Sequence, residues 1–97
     1  MIVLRSTYTG SAEAVGALRP AHLEWLERLI GDGVVIGAGR FTDGSGAGIL
    51  GAGTDAAALL RLFDDDPYVV GGVARYEEVA SFPAAMGGDA IKQLDAR

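Results

Sequence analysis

The chain has 97 residues, a formal charge of −5 and no cysteine. That bounds it to one domain and excludes disulfides and thiolate metal sites. Its 49% hydrophobic and 22% charged residues are the values of a chain that builds a core rather than a disordered one, and no basic cluster offsets the acidic balance, which argues against nucleic acid as a partner. No apolar run approaches the roughly 18 residues that a membrane span needs. Met1-Ile2-Val3-Leu4-Arg5 lacks the basic start and long apolar stretch of a secretory signal, so the expected location is the cytoplasm.

Met1 to Thr9 reads as a strand, with Ile2, Leu4 and Tyr8 alternating against Val3, Arg5 and Thr7. Gly10 to Gly16 reads as a loop of small residues. The first helix is expected over Pro20 to Gly31, with proline as its first residue and Gly31-Asp32-Gly33 as its stop. Leu23, Leu26, Leu29 and Ile30 share one stripe of that helix, and His22, the only histidine, lies on the same face. Val34 to Phe41 and Ala47 to Gly53 read as a hairpin around Thr42-Asp43-Gly44-Ser45-Gly46. Thr54 or Asp55 caps a second helix carrying Ala56, Leu59, Leu60 and Phe63, which must end before Pro67. Val73 to Phe82 is a fourth strand. Residues 83–97 form a tail, with a short helix expected from Asp89 through Ile91 and Leu94.

The order β-α-β-β-α-β is the ferredoxin-like arrangement of an α+β domain, an antiparallel sheet with two helices on one face. Val34-Val35-Ile36-Gly37-Ala38-Gly39 is apolar on both sides, whereas a sheet with one uncovered face should alternate. The expected cover is the same sheet of a second copy, which makes a homodimer. Gly37, Gly39, Gly48, Gly51 and Gly53 remove side chains from the sheet, either for close backbone approach or as space for a ligand; loosely packed strand ends are the plainer alternative.

Asp64-Asp65-Asp66-Pro67-Tyr68 places three carboxylates at the negative end of the second helix. Asp64 and Asp65 read as solvated charges. Asp66 differs, because Pro67 forces it out of the helix. If the start of helix one approaches the end of helix two, His22 and Asp66 come within reach of each other. Such a pair orients one imidazole tautomer and serves general acid–base chemistry. The plainer alternative is a buried histidine with a satisfied hydrogen bond. Arg19, next to Pro20, is a candidate anchor for a substrate carboxylate or phenolate, or a surface arginine paired with an acid. Tyr8, Trp25 and Tyr68 either line an aromatic pocket or simply pack.

Several patterns carry no chemistry. Gly46-Ala47-Gly48-Ile49-Leu50-Gly51 fits G-x-G-x-x-G but opens a strand, not a helix, in a domain too small for a dinucleotide fold. Ser6, Ser11, Ser45 and Ser81 have no nucleophile-elbow context. One histidine and no cysteine leave no transition-metal constellation, although a carboxylate-only site at Asp64 to Asp66 stays open. No cofactor is called for.

Arg19-Pro20-x-His22-Leu23-x-x-Leu26, the strand Gly33 to Gly39, and Asp66-Pro67-Tyr68-Val69 followed by Gly72-Val73 resemble the YCII-related family over residues 1–82. The resemblance implies a dimeric α+β barrel, whose sheets pack across a dimer around a cavity, and a His–Asp pair in that cavity carried by His22 and Asp66. One branch of the family looks like dehydrochlorinases of chlorinated aromatics; the wider superfamily includes muconolactone isomerases and small monooxygenases. This chain departs at Arg40, where many relatives carry proline, and at Gly48, where many carry serine. The expectation is a cytoplasmic homodimer acting on a small, aromatic or anionic molecule by isomerisation, elimination of HCl or hydrolysis. His22 would move the proton, Asp66 would orient it, and Arg19, Tyr8 and Tyr68 would bind substrate. The alternative is a dimeric binding module without turnover.

Overall fold

The computed structural model describes residues 1–89 and 91. The ferredoxin-like arrangement is present: β1 (Ile2–Tyr8), α1 (Ala12–Gly31), β2 (Val35–Arg40), β3 (Gly46–Gly51), α2 (Ala56–Phe63), the single turn α3 (Pro67–Val70) and β4 (Ala74–Ser81). The four strands are antiparallel in the order β2-β3-β1-β4. The short helix expected from Asp89 to Leu94 lies largely outside the described residues.

Alternation on β1 sets the layers. Ile2, Leu4 and Ser6 are buried, while Arg5 between them is exposed. The buried row packs with Val35 and Ile49 of the sheet against Leu26, Ala56, Leu59 and Phe63 of the helices. A second cluster joins Val15, Tyr68, Val73 and Ala74 at the α1–α3 end. The opposite face of the sheet carries Arg5 and Glu77, 3.7 Å apart, and the exposed Leu50. Two bulges interrupt the ladders, between Val3 and Leu4 against β4 and between Val35 and Gly37 against β3. The second turns β2 so that Ala38 and Arg40 share the helix-covered face with Ile49 and Ala47, their register partners.

Helix α1 departs from the sequence reading at its start. Ser11, not Pro20, opens it: the Ser11 side chain accepts from the Ala14 N–H at 3.1 Å, as an N-cap does. Pro20 sits inside the helix. The residues expected to form a loop up to Gly16 are therefore helical. The expected apolar stripe also shifts. Leu26 is buried, but Leu23 and Ile30 are 39% and 44% exposed, because the buried face runs through Val15, His22 and Leu26. The stop is as expected and can be specified. Gly33 takes φ 75°, its N–H donates to Ile30 C=O, and the Val34 N–H donates to Leu29 C=O, which is the Schellman pattern.

Two of the sheet glycines have steric reasons. A Cβ at Gly46 would lie 1.8 Å from the Ser6 carbonyl oxygen, and one at Gly51 would lie 2.4 Å from a Leu59 methyl. Gly37 and Gly39 meet nothing within 4 Å.

Candidate functional site

Asp66 is placed by the local sequence. Asp64 caps the end of α2, and Pro67 holds Asp66 out of the helical region, with ψ 128°. The result is an N-cap: Asp66 Oδ1 accepts the Tyr68 N–H at 3.0 Å and opens α3. Asp64 and Asp65 are exposed, whereas Asp66 is fully buried.

His22 reaches Asp66 from the middle of α1. Its Nδ1 stands 2.8 Å from Asp66 Oδ1. The contact forms between α1 and α3, not through the open start of a helix. His22 is the eleventh residue of α1, which begins at Ala12, so the positive end of the helix dipole is too distant to act on it. Against an ionised carboxylate, which only accepts, Nδ1 is the donor, and in the neutral ring Nε2 is then the nitrogen with the lone pair. The ring is fixed on its face as well. Tyr68 stacks against it with centroids 3.9 Å apart and planes 6° from parallel.

A residue that sequence reasoning missed completes the network. The Tyr76 hydroxyl donates to Asp66 Oδ2 at 2.6 Å. Three donors from α1, α3 and β4 thus meet on one buried carboxylate. Burial first, and the Asp66 carboxylate second, hold the Tyr76 phenol far above its ordinary pKa. A signal was there to be read: β4 starts with Ala74 facing inward, so period two places Tyr76 inward too.

His22 lines a pocket of about 120 Å³ between α1 and the sheet, together with Tyr8, Arg19, Leu23, Leu26, Ile49 and Arg40. Of the residues expected to bind substrate, Tyr8 and Arg19 are on this wall. Tyr68 lies one layer behind, under the histidine, with its ring edge-on to Tyr8 at 6.0 Å. Trp25 packs edge-on against Phe63 at 5.0 Å and is not on the pocket wall. Arg40 closes the rim. Its Nε donates to the Tyr8 hydroxyl at 3.3 Å, and its guanidinium carbon lies 5.7 Å from the Tyr8 ring centroid. The Tyr8 hydrogen bond raises the Arg40 pKa. The Tyr68 hydroxyl is buried with no partner in hydrogen-bonding geometry. Burial raises its pKa, Tyr8 adds to that, and the Arg19 guanidinium opposes it.

Among the described residues, no group of three or more His, Cys, Asp or Glu side chains is arranged to hold a metal ion, and no helix is long and apolar enough to cross a membrane. What the site offers is an oriented imidazole, backed by a carboxylate, facing a small pocket with two guanidiniums. No curated protein matches the chain. The sequence pattern of the YCII-related domain matches residues 1–83. That match spans most of the chain, and with the ferredoxin-like fold and the buried His22–Asp66 pair it identifies the protein as a member of the YCII-related family.

Proposed function

We propose that the protein is a homodimeric acid–base enzyme acting on a small anionic molecule. The observation that carries this reading is the His22 Nδ1–Asp66 Oδ1 contact of 2.8 Å in a ring that also lines the pocket. With Nδ1 committed to the carboxylate, Nε2 is the nitrogen left to take a proton from a bound molecule. Asp66 stabilises the imidazolium that forms and keeps the tautomer correct, so the proton can be returned to a different atom or to a leaving group. Arg19 and Tyr8 hold the substrate, and Tyr68 keeps the ring in plane. The reaction class is proton transfer: isomerisation, elimination or hydrolysis.

The test begins with a screen of small lactones, chlorinated hydroquinones and short carboxylic acids for turnover. His22→Asn should then lower kcat by about two to four orders of magnitude, the usual worth of a general acid–base residue. Substrate affinity should change little. A kcat unaffected by His22→Asn refutes the reading.

The two arginines favour a second reading, because Arg19 and Arg40, which both line the pocket, hold an anion whether or not a proton moves. A compound that binds saturably and is never converted, with affinity lost in Arg19→Gln, supports a binding module instead.

A further inference from the structure

We propose that the pocket is a two-guanidinium site for a short dicarboxylate, with one carboxylate on Arg19 and the other on Arg40. The proposal takes the pocket of the acid–base reading as the substrate site and names what fills it.

The cations arrive from different layers. Arg19 belongs to α1 and Arg40 ends β2, so they border the pocket from the helix side and the sheet side. No aspartate or glutamate lines the space between them. Among the described residues, Arg5 pairs with Glu77 and Arg28 with Glu24, while Arg61 and Arg75 are in no ion pair. Arg19 and Arg40 form no such pair. In a chain of net charge −5, two guanidiniums bordering one pocket without a counter-charge make it a locally positive spot that attracts an anion.

Arg19 also interacts with the buried Tyr68 hydroxyl, one layer behind the pocket, and opposes the rise in its pKa that burial causes. Arg40 is held in position meanwhile by the Tyr8 hydroxyl and ring, contacts that leave most of its five donors free. Guanidinium and carboxylate match as planar, two-pronged partners.

Size restricts the class further. About 120 Å³ is well below the roughly 300–1,000 Å³ of sites for drug-sized ligands, which favours a ligand smaller than a nucleotide or a fused ring. A dicarboxylate bridging the two guanidiniums carries its carbon chain past His22 on the same wall. A single tetrahedral anion has no carbon to present there.

Calorimetric titration at low ionic strength tests this with defined probes: malonate, succinate and glutarate, the monoacids propionate and butyrate, the neutral diamides malonamide and succinamide, and inorganic phosphate. At least one diacid should bind about tenfold or more tighter than its monoacid. The diamides should not bind, and added salt should weaken the diacid. Arg19→Gln and Arg40→Gln should each reduce diacid affinity about tenfold or more. Arg61→Gln, exposed on α2, should leave it unchanged, and circular dichroism checks that each variant is folded. Diacids no tighter than monoacids, diamides as tight as diacids, phosphate as tight as either, or two folded arginine variants with unchanged affinity would each overturn the proposal. Binding is read without turnover, so the acid–base reading can fail while this one stands, and the reverse.

Discussion

Three elements meet on Asp66, through His22 of α1, the Tyr68 amide of α3 and Tyr76 of β4. The weight of each contact can be tested at Tyr76. Tyr76→Phe keeps the ring that packs edge-on against Phe63, 4.6 Å between centroids, and removes only the hydroxyl. A hydrogen bond to a charged group is worth about 1.5–3 kcal/mol, so the variant should lose about that much, read from urea midpoints at neutral pH. A pH dependence goes with it. The folded state holds the Tyr76 proton above its ordinary value, while the unfolded chain releases it near pH ~10. The stabilisation is therefore complete below about pH 10 and is lost as pH rises from there toward the folded value. Wild type should show a falling alkaline branch that Tyr76→Phe flattens; equal slopes in the two proteins would mean that this hydroxyl is not held by Asp66. The sequence made Asp66 legible, because proline acts on its neighbour and so separates Asp66 from Asp64 and Asp65. It made His22 legible as the single histidine on an apolar face. Tyr76 was hidden for a physical reason: a strand's period says which face a residue occupies, but not which loop lies opposite it.

At the scale of elements, the strands and α2 were read close to their observed bounds, because period-two alternation and turn residues are local signals. Helix α1 was read eight residues short. Gly16 and Pro20 are both helix breakers taken singly, yet Val15, Leu18, His22 and Leu26 keep a spacing of three or four through them, and Val15, His22 and Leu26 are buried. Burial along that face outweighed local propensity, the usual outcome where an amphipathic helix packs. The proline still has a cost. It has no N–H for the Gly16 carbonyl, and a proline inside a helix is about 3 kcal/mol worse than alanine. Part of that is returned by the stiffer unfolded chain, about 0.4–1 kcal/mol. Pro20→Ala should therefore stabilise the protein by about 2 kcal/mol, seen as a higher urea midpoint with unchanged slope. The exposure of Pro20 and Gly16 means that no packing is lost. A destabilised Pro20→Ala variant would refute this.

For the whole molecule, the question is what covers the second face of the sheet. Among the described residues two helices run for more than one turn, and the buried row of β1 packs with them on one side. On the other side Leu50 is 38% exposed and is aligned with Val3 in the ladder. Gly48 beside them carries only the edge of the Phe41 ring, 3.5 Å from where its Cβ would be. The part of this face formed by Gly46, Gly48 and Leu50 suits a second sheet, because few side chains stand up there to keep two copies apart. Arg5 and Glu77 neutralise each other at 3.7 Å, so these two charges on the face are paired rather than repelling. Light scattering at micromolar concentration should give about twice the 10.0 kDa chain mass. Leu50→Lys should give a folded monomer, since it sets one unpaired charge in each copy against the other across an apolar contact. The pocket of His22 lies on the helix side of the sheet, so the monomer should keep the His22–Asp66 geometry even after losing its partner. A wild-type mass near 10.0 kDa would refute the dimer. A Leu50→Lys variant that stays dimeric would place the interface elsewhere on the molecule.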